Sequence, residues 1–81
     1  MRIRVHVTPR KGVLDPQGQA VSGGLQSLGF SATGEVRVGK VVDIVLDGVE
    51  DAEAALALGR DMAEKLLANE IVEDFDVQVL S

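Results

Sequence analysis

The first eight residues alternate without a fault: Ile3, Val5 and Val7 fall on one side, Arg2, Arg4 and His6 on the other. A period of two is the signature of a strand with one face buried and one face wet. A chain that opens this way must supply a layer for one side of a sheet only. The pattern returns in Glu35–Val38, in Val41–Asp47 and in the last residues, where Phe75, Val77 and Val79 share a face. Between these lie two stretches with helical spacing. The order is strand, helix, strand, strand, helix, strand. It predicts an α+β, ferredoxin-like β-α-β-β-α-β fold, a four-stranded antiparallel sheet with two helices on one face. Residues 1–81 form a single domain, with no linker or low-complexity segment.

The first helix is bracketed clearly. Asp15 is a capping residue, Pro16 suits the first helical position, and Gly29 suits a left-handed residue just past the end. Val21, Leu25 and Leu28 make its apolar stripe. Inside it stand Gly18, Gly23 and Gly24, each costing roughly 1 kcal/mol of helix stability relative to alanine. Bare backbone is useful where another backbone comes close, either the sheet of the same subunit or a partner surface.

Gly39-Lys40 marks a turn between the second and third strands. A two-residue turn there would place Val36 opposite Asp43. Pairing Val38 with Val42 and Val36 with Ile44 keeps apolar beside apolar, so the pattern predicts a three-residue connection or a bulge. Val41 and Val45 then stay on the open face of the sheet, joined there by Leu80. Apolar side chains gathered on one sheet face of a small domain suggest a subunit interface.

The second helix spans Asp51 to Ala68, capped by Asp51. Its stripe is Ala52, Ala55, Leu56, Gly59, Met62, Ala63 and Leu66, which is core packing. Asp61 and Lys65 form an i, i+4 pair, and Asn69 is the expected C-terminal cap.

Composition narrows the function. Thirteen acidic against eight basic residues give a formal charge of −5, and the only aromatics are two phenylalanines. Neither a basic face nor stacking rings are on offer for nucleic acid. No run is long enough for a transmembrane span, and no signal-peptide core is present, so a cytoplasmic location is expected. Without cysteine, and with one histidine, a metal site is not expected. His6 lies on the polar face of its strand with no orienting partner in view. Eighty-one residues make a small core, and self-association is the natural supplement.

No catalytic constellation emerges: no cysteine nucleophile, no phosphate-binding loop, no metalloprotease helix. Glu70, Glu73, Asp74 and Asp76 crowd the approach to the last strand and read as a solvated face. An independent enzyme built on them ranks far behind. Two polar corners remain. Lys11, Asp15, Gln17 and Gly18 gather at the start of the first helix; Arg37, Gly39 and Lys40 gather at the predicted hairpin. They are either a helix cap and a tight turn, or determinants for docking another protein.

The runs Gly12-Val13-Leu14-Asp15-Pro16-Gln17-Gly18-x-Ala20-Val21, Leu28-Gly29-Phe30 and Val36-Arg37-Val38-Gly39-Lys40 resemble one family. It is PurS, the small subunit of phosphoribosylformylglycinamidine synthase, the glutamine-dependent enzyme of purine biosynthesis. The resemblance covers nearly the whole chain. It implies a homodimer or tetramer joined through its sheets, which assembles with a large synthase subunit of the PurL type and a glutaminase of the PurQ type. The glutaminase releases ammonia; the synthase uses it with ATP and magnesium. The small subunit holds no cofactor, catalyses neither step, bridges the two enzymes and helps shape the ammonia path. Two departures touch local geometry: Glu70 follows Asn69 where the family often has proline, and Gly23-Gly24 replaces a larger residue beside a small one. Fold analogy alone supports the alternative, a dimeric small-molecule-binding regulatory module.

Overall fold

Ile3, Val5 and Val7 have no exposed surface, and that burial organises the molecule. The computed structural model describes all residues, Met1–Ser81. Strand β1 (Arg2–Pro9) lies in the middle of the sheet, antiparallel to β2 (Lys40–Val45) on one side and to β3 (Glu73–Val79) on the other. Val5 faces Val42 in one register and Val77 in the other, so apolar residues line up across the sheet as their period demands.

Helix α2 (Ala52–Met62) covers β1 and β3. Asp51 caps it as expected, its carboxylate accepting from the Ala54 N–H at 3.2 Å. Gly59 is buried where α2 meets the sheet. A Cβ there would stand 2.6 Å from Val77 Cγ1 and 2.9 Å from Ile3 Cδ1, so glycine sets the distance between the layers. The helix does not run regularly to Ala68. Residues Ala63–Leu67 form a π-helical turn, closed by the Ala68 N–H on the Ala63 carbonyl at 2.9 Å. Its wider turn moves the stripe on by one position. Leu66 is 84% exposed, while Leu67 packs against the core. Ala52 is exposed too, so the stripe narrows at both ends. Lys65 Nζ reaches Asp61 at 3.0 Å, as the spacing predicts. Asn69 is not a left-handed cap: it accepts from the Ile71 N–H and donates its own N–H to Glu73, turning the chain into β3.

Two expectations fail, for one reason. The sheet has three strands rather than four, and only α2 of the two helices lies on it. Helix α1 (Pro16–Ser27) instead projects beyond the sheet and packs substantially on none of its strands. Its stripe is left open, with Val21 43% and Leu28 77% exposed. The cause lies after it. From Thr33 to Val45 there is neither turn nor bend, so the hairpin expected at Gly39-Lys40 does not exist. Glu35–Val38 leads straight into β2 and cannot pair with it. Neither the three-residue connection nor the bulge forms, and Val38 and Val42 belong to the same run. The resulting shape is 49 × 25 × 14 Å, with a radius of gyration of 15.8 Å. A compact chain of this length has a radius near ~12 Å. No helix is long and apolar enough to cross a membrane.

Candidate docking surface where the arm meets the sheet

Helix α1 and the segment running back beside it make an arm, and its hinge is built from the residues singled out above. Asp15 occupies the capping position in extended conformation, with Pro16 following at the first helical residue. Its side chain, however, forms no cap. Oδ2 accepts the Val38 N–H at 2.8 Å. That bond foremost holds the Asp15 carboxyl below the ordinary carboxylate range, with the facing N–H groups of Gly18 and Gln17 adding to it. Gly18 is buried because the Val36 carbonyl lies against it: a Cβ would collide with that oxygen and with the Asp15 carboxylate. At Gly39 a Cβ would collide with the Val7 carbonyl. Arg37 Nη1 donates to the Pro9 carbonyl at 3.1 Å.

The two corners of the sequence are therefore one surface. Asp15, Gly18, Arg37 and Gly39 are tied together through Val36, Val38, Val7 and Pro9. Gly18 and Gly39 serve by close packing and offer no side chain to a partner. Lys11, Gln17 and Lys40 are exposed around them, with no side-chain hydrogen bond. Lys11 sits in the loop turned by Gly12, whose φ is 85°.

Sequence reasoning missed Ser22 and Gln26. Ser22 Oγ donates to the Gly34 carbonyl at 3.2 Å and Gln26 Nε2 to the Thr33 carbonyl at 3.3 Å. With Gly18 they recur every four residues, one row along a helix, and that spacing is the signal that could have found them. Between this row and Gly34–Val36 lies an open groove of about 320 Å³. Gly23 and Gly24 meet nothing within 4 Å, so intramolecular packing does not account for them.

On the outer face, Arg4 grips Asp43 with two bonds, Nε–Oδ1 at 2.7 Å and Nη2–Oδ2 at 3.0 Å. The pair raises the Arg4 pKa and lowers that of Asp43. Val41 and Val45 flank it, 56% and 65% exposed, while Leu80 is half-buried. The first two residues of β3 have local duties: Glu73 accepts the Asn69 N–H, and Asp74 pairs with Arg10 at 3.2 Å.

The sequence pattern of the family described as PurS, phosphoribosylformylglycinamidine (FGAM) synthase, matches residues 2–81. This chain belongs to the PurS family. It is 43% identical over 77 residues to the PurS subunit of FGAM synthase from Mycobacterium leprae, covering 94% of this chain and 91% of that one. The Bacillus subtilis PurS subunit is 37% identical over 79 residues, 96% and 90% of the two chains. Among solved structures, the C2 crystal form of B. subtilis PurS superposes with a TM-score of 0.83 at 34% identity, over 99% of this chain and 98% of that one. PurS of Methanocaldococcus jannaschii gives 0.84 at 32% identity, over 99% and 95%. A chain in the PurLQS structure from Thermotoga maritima gives 0.84 at 26% identity, over 98% and 95%. The chain is thus a subunit of FGAM synthase in purine biosynthesis, as its motifs imply.

Proposed function

We propose that this PurS-family chain is the non-catalytic assembly subunit of the glutamine-dependent synthase, bridging a PurL-type synthase subunit and a PurQ-type glutaminase and supporting ammonia transfer between them. The observation that carries this is the match along nearly the whole chain to a protein solved within a PurLQS complex. ATP and magnesium are used by the partner synthase, in the cytoplasm. The hinge of the arm is the docking surface: Asp15, Gly18 and Gly39 fix its shape, while Lys11, Gln17, Arg37 and Lys40 present polar groups at its rim. The chain works as a homodimer or tetramer, in which the ferredoxin-like sheet reaches four strands and the outer patch of Val41, Val45 and Leu80 is covered.

Light scattering on mixtures with the two partner subunits tests the surface. Arg37→Ala and Lys40→Ala lower the yield of the three-component complex while leaving the circular dichroism of the chain unchanged. Full assembly by both variants refutes the docking surface.

A further inference from the structure

Three large apolar side chains stand exposed around one residue, Arg10. Leu14 is 70% exposed and Ile71 83%, and Val13 is open beside Leu14. The turns that carry them both close on the Arg10 backbone. Its N–H donates to the Val72 carbonyl at 2.8 Å, and its C=O accepts the Val13 N–H at 3.1 Å. The Arg10 side chain strengthens the join by pairing with Asp74 at 3.2 Å. One residue earlier, the Pro9 carbonyl takes Arg37 of the arm. The loop before α1, the turn before β3 and the hinge of the arm are thus fastened together across Pro9-Arg10.

Both turns are held by hydrogen bonds. Gly12, with φ 85°, takes the third place of the Arg10–Val13 turn, where a left-handed residue is suited. In the other turn the Asn69 side chain accepts the Ile71 N–H at 3.2 Å, and the Asn69 carbonyl accepts from Val72 and Glu73. Turns in contact with water favour glycine and small polar residues, so leucine and isoleucine beside them call for a reason. A single exposed apolar residue is ordinary; several that share one junction mark a contact surface. The rim around them is polar and divided by sign. Lys11 and Arg37 lie on the side of Leu14, Glu70 and Asp74 on the side of Ile71. An apolar centre within a polar rim is the anatomy of a protein interface.

We propose that Leu14 and Ile71 are the apolar anchors of the docking surface, seated together in apolar depressions of one partner enzyme. The inference rests on the assembly role given above and carries its surface from the hinge across Pro9-Arg10 to the turn before β3. The divided rim sets the chemistry of the partner: carboxylates facing Lys11 and Arg37, and a lysine or arginine facing Glu70. Such a pattern fixes orientation, because a partner turned end for end would meet like charges. Hydrogen-bonded turns present the anchors already ordered, which lowers the entropy lost on binding. Val13-Leu14, the part of the motif that the hinge leaves unused, gains a role beside Asp15.

Photo-cross-linking tests this directly. Introduced in place of Leu14 or Ile71, the photoreactive residue p-benzoylphenylalanine lies on an exposed turn, where the fold tolerates it. Illuminated in the mixture with the PurL-type and PurQ-type subunits, both positions are expected to cross-link to the same one of the two enzymes. Leu14→Ser and Ile71→Ser are each expected to weaken binding of the chain to that mixture about tenfold, as loss of a central anchor does. Light scattering of either serine variant alone is expected to match the parent. Cross-links to a second copy of this chain, or to a different enzyme from each position, overturn the proposal. So does a Leu14→Ser/Ile71→Ser double variant that binds as the parent does, and this outcome leaves the assembly role standing. A parent chain that binds neither enzyme overturns the assembly role and the anchors together.

Discussion

The Asp15 carboxylate accepts the Val38 backbone N–H at 2.8 Å, joining residues 23 positions apart. An aspartate that could have capped its own helix instead fastens the start of α1 to the segment returning from its far end. The arm thereby keeps one shape without a hydrophobic core of its own. Asp15→Ala should release it. The Val38 amide should exchange faster with solvent and complex assembly should weaken, while the melting of the sheet changes little. A large loss of thermal stability would contradict this division between arm and sheet.

Two glycines on one helix make a contrast. Gly18→Ala drives a methyl group into the Val36 carbonyl, and backbone cannot give way cheaply. It should spoil assembly despite alanine's better helix propensity. Gly23→Ala faces open space in the single chain and should steady α1 by about 1 kcal/mol. Denaturation and complex formation measured on both variants check the pair. Equal behaviour would contradict the geometry.

Gly59→Ala should destabilise the sheet layer by about 1–3 kcal/mol, because Ile3 and Val77 leave no room for the methyl group. Urea unfolding would show a lower midpoint with an unchanged slope. An unchanged midpoint would mean that α2 lifts away without cost.

Asp15 and Asp43 both have depressed pKa values, the first chiefly from the Val38 N–H and the second chiefly from Arg4. Folding lowers these values, so their contribution is complete above the ordinary carboxylate pKa of 3.8 and is lost as pH falls through the lower folded values. Thermal melts on the acid side should therefore show a shallower decline in Asp43→Asn than in the parent. Parallel curves would show that the Arg4 pair does not couple to folding.

Local rules made much of this legible. The alternation of Ile3, Val5 and Val7 gave β1, Asp51 gave the start of α2, and Gly29, with φ 101°, ended α1 as predicted. What escaped was decided by tertiary partners. The parity of Val36, Val38, Val42 and Ile44 is the same for a hairpin with an odd connection and for one straight strand, so periodicity could not say whether the chain turns at Gly39. The π turn after Met62 was equally hidden, because Leu66 and Leu67 are both leucine and either could face inward. The motif residues were found, yet their roles divide: Gly18 and Gly39 are packing contacts, and Asp15 and Arg37 anchor the arm. The residues themselves marked two polar corners; only the structure showed that the two meet.

The most direct test of the assembly role is glutamine-dependent amidine formation by the PurL-type and PurQ-type partners, assayed with and without this chain in the presence of ATP and magnesium. Activity that rises with added chain, and saturates at a fixed stoichiometry as the larger complex forms, is the predicted result. Activity that is the same without the chain would contradict the account.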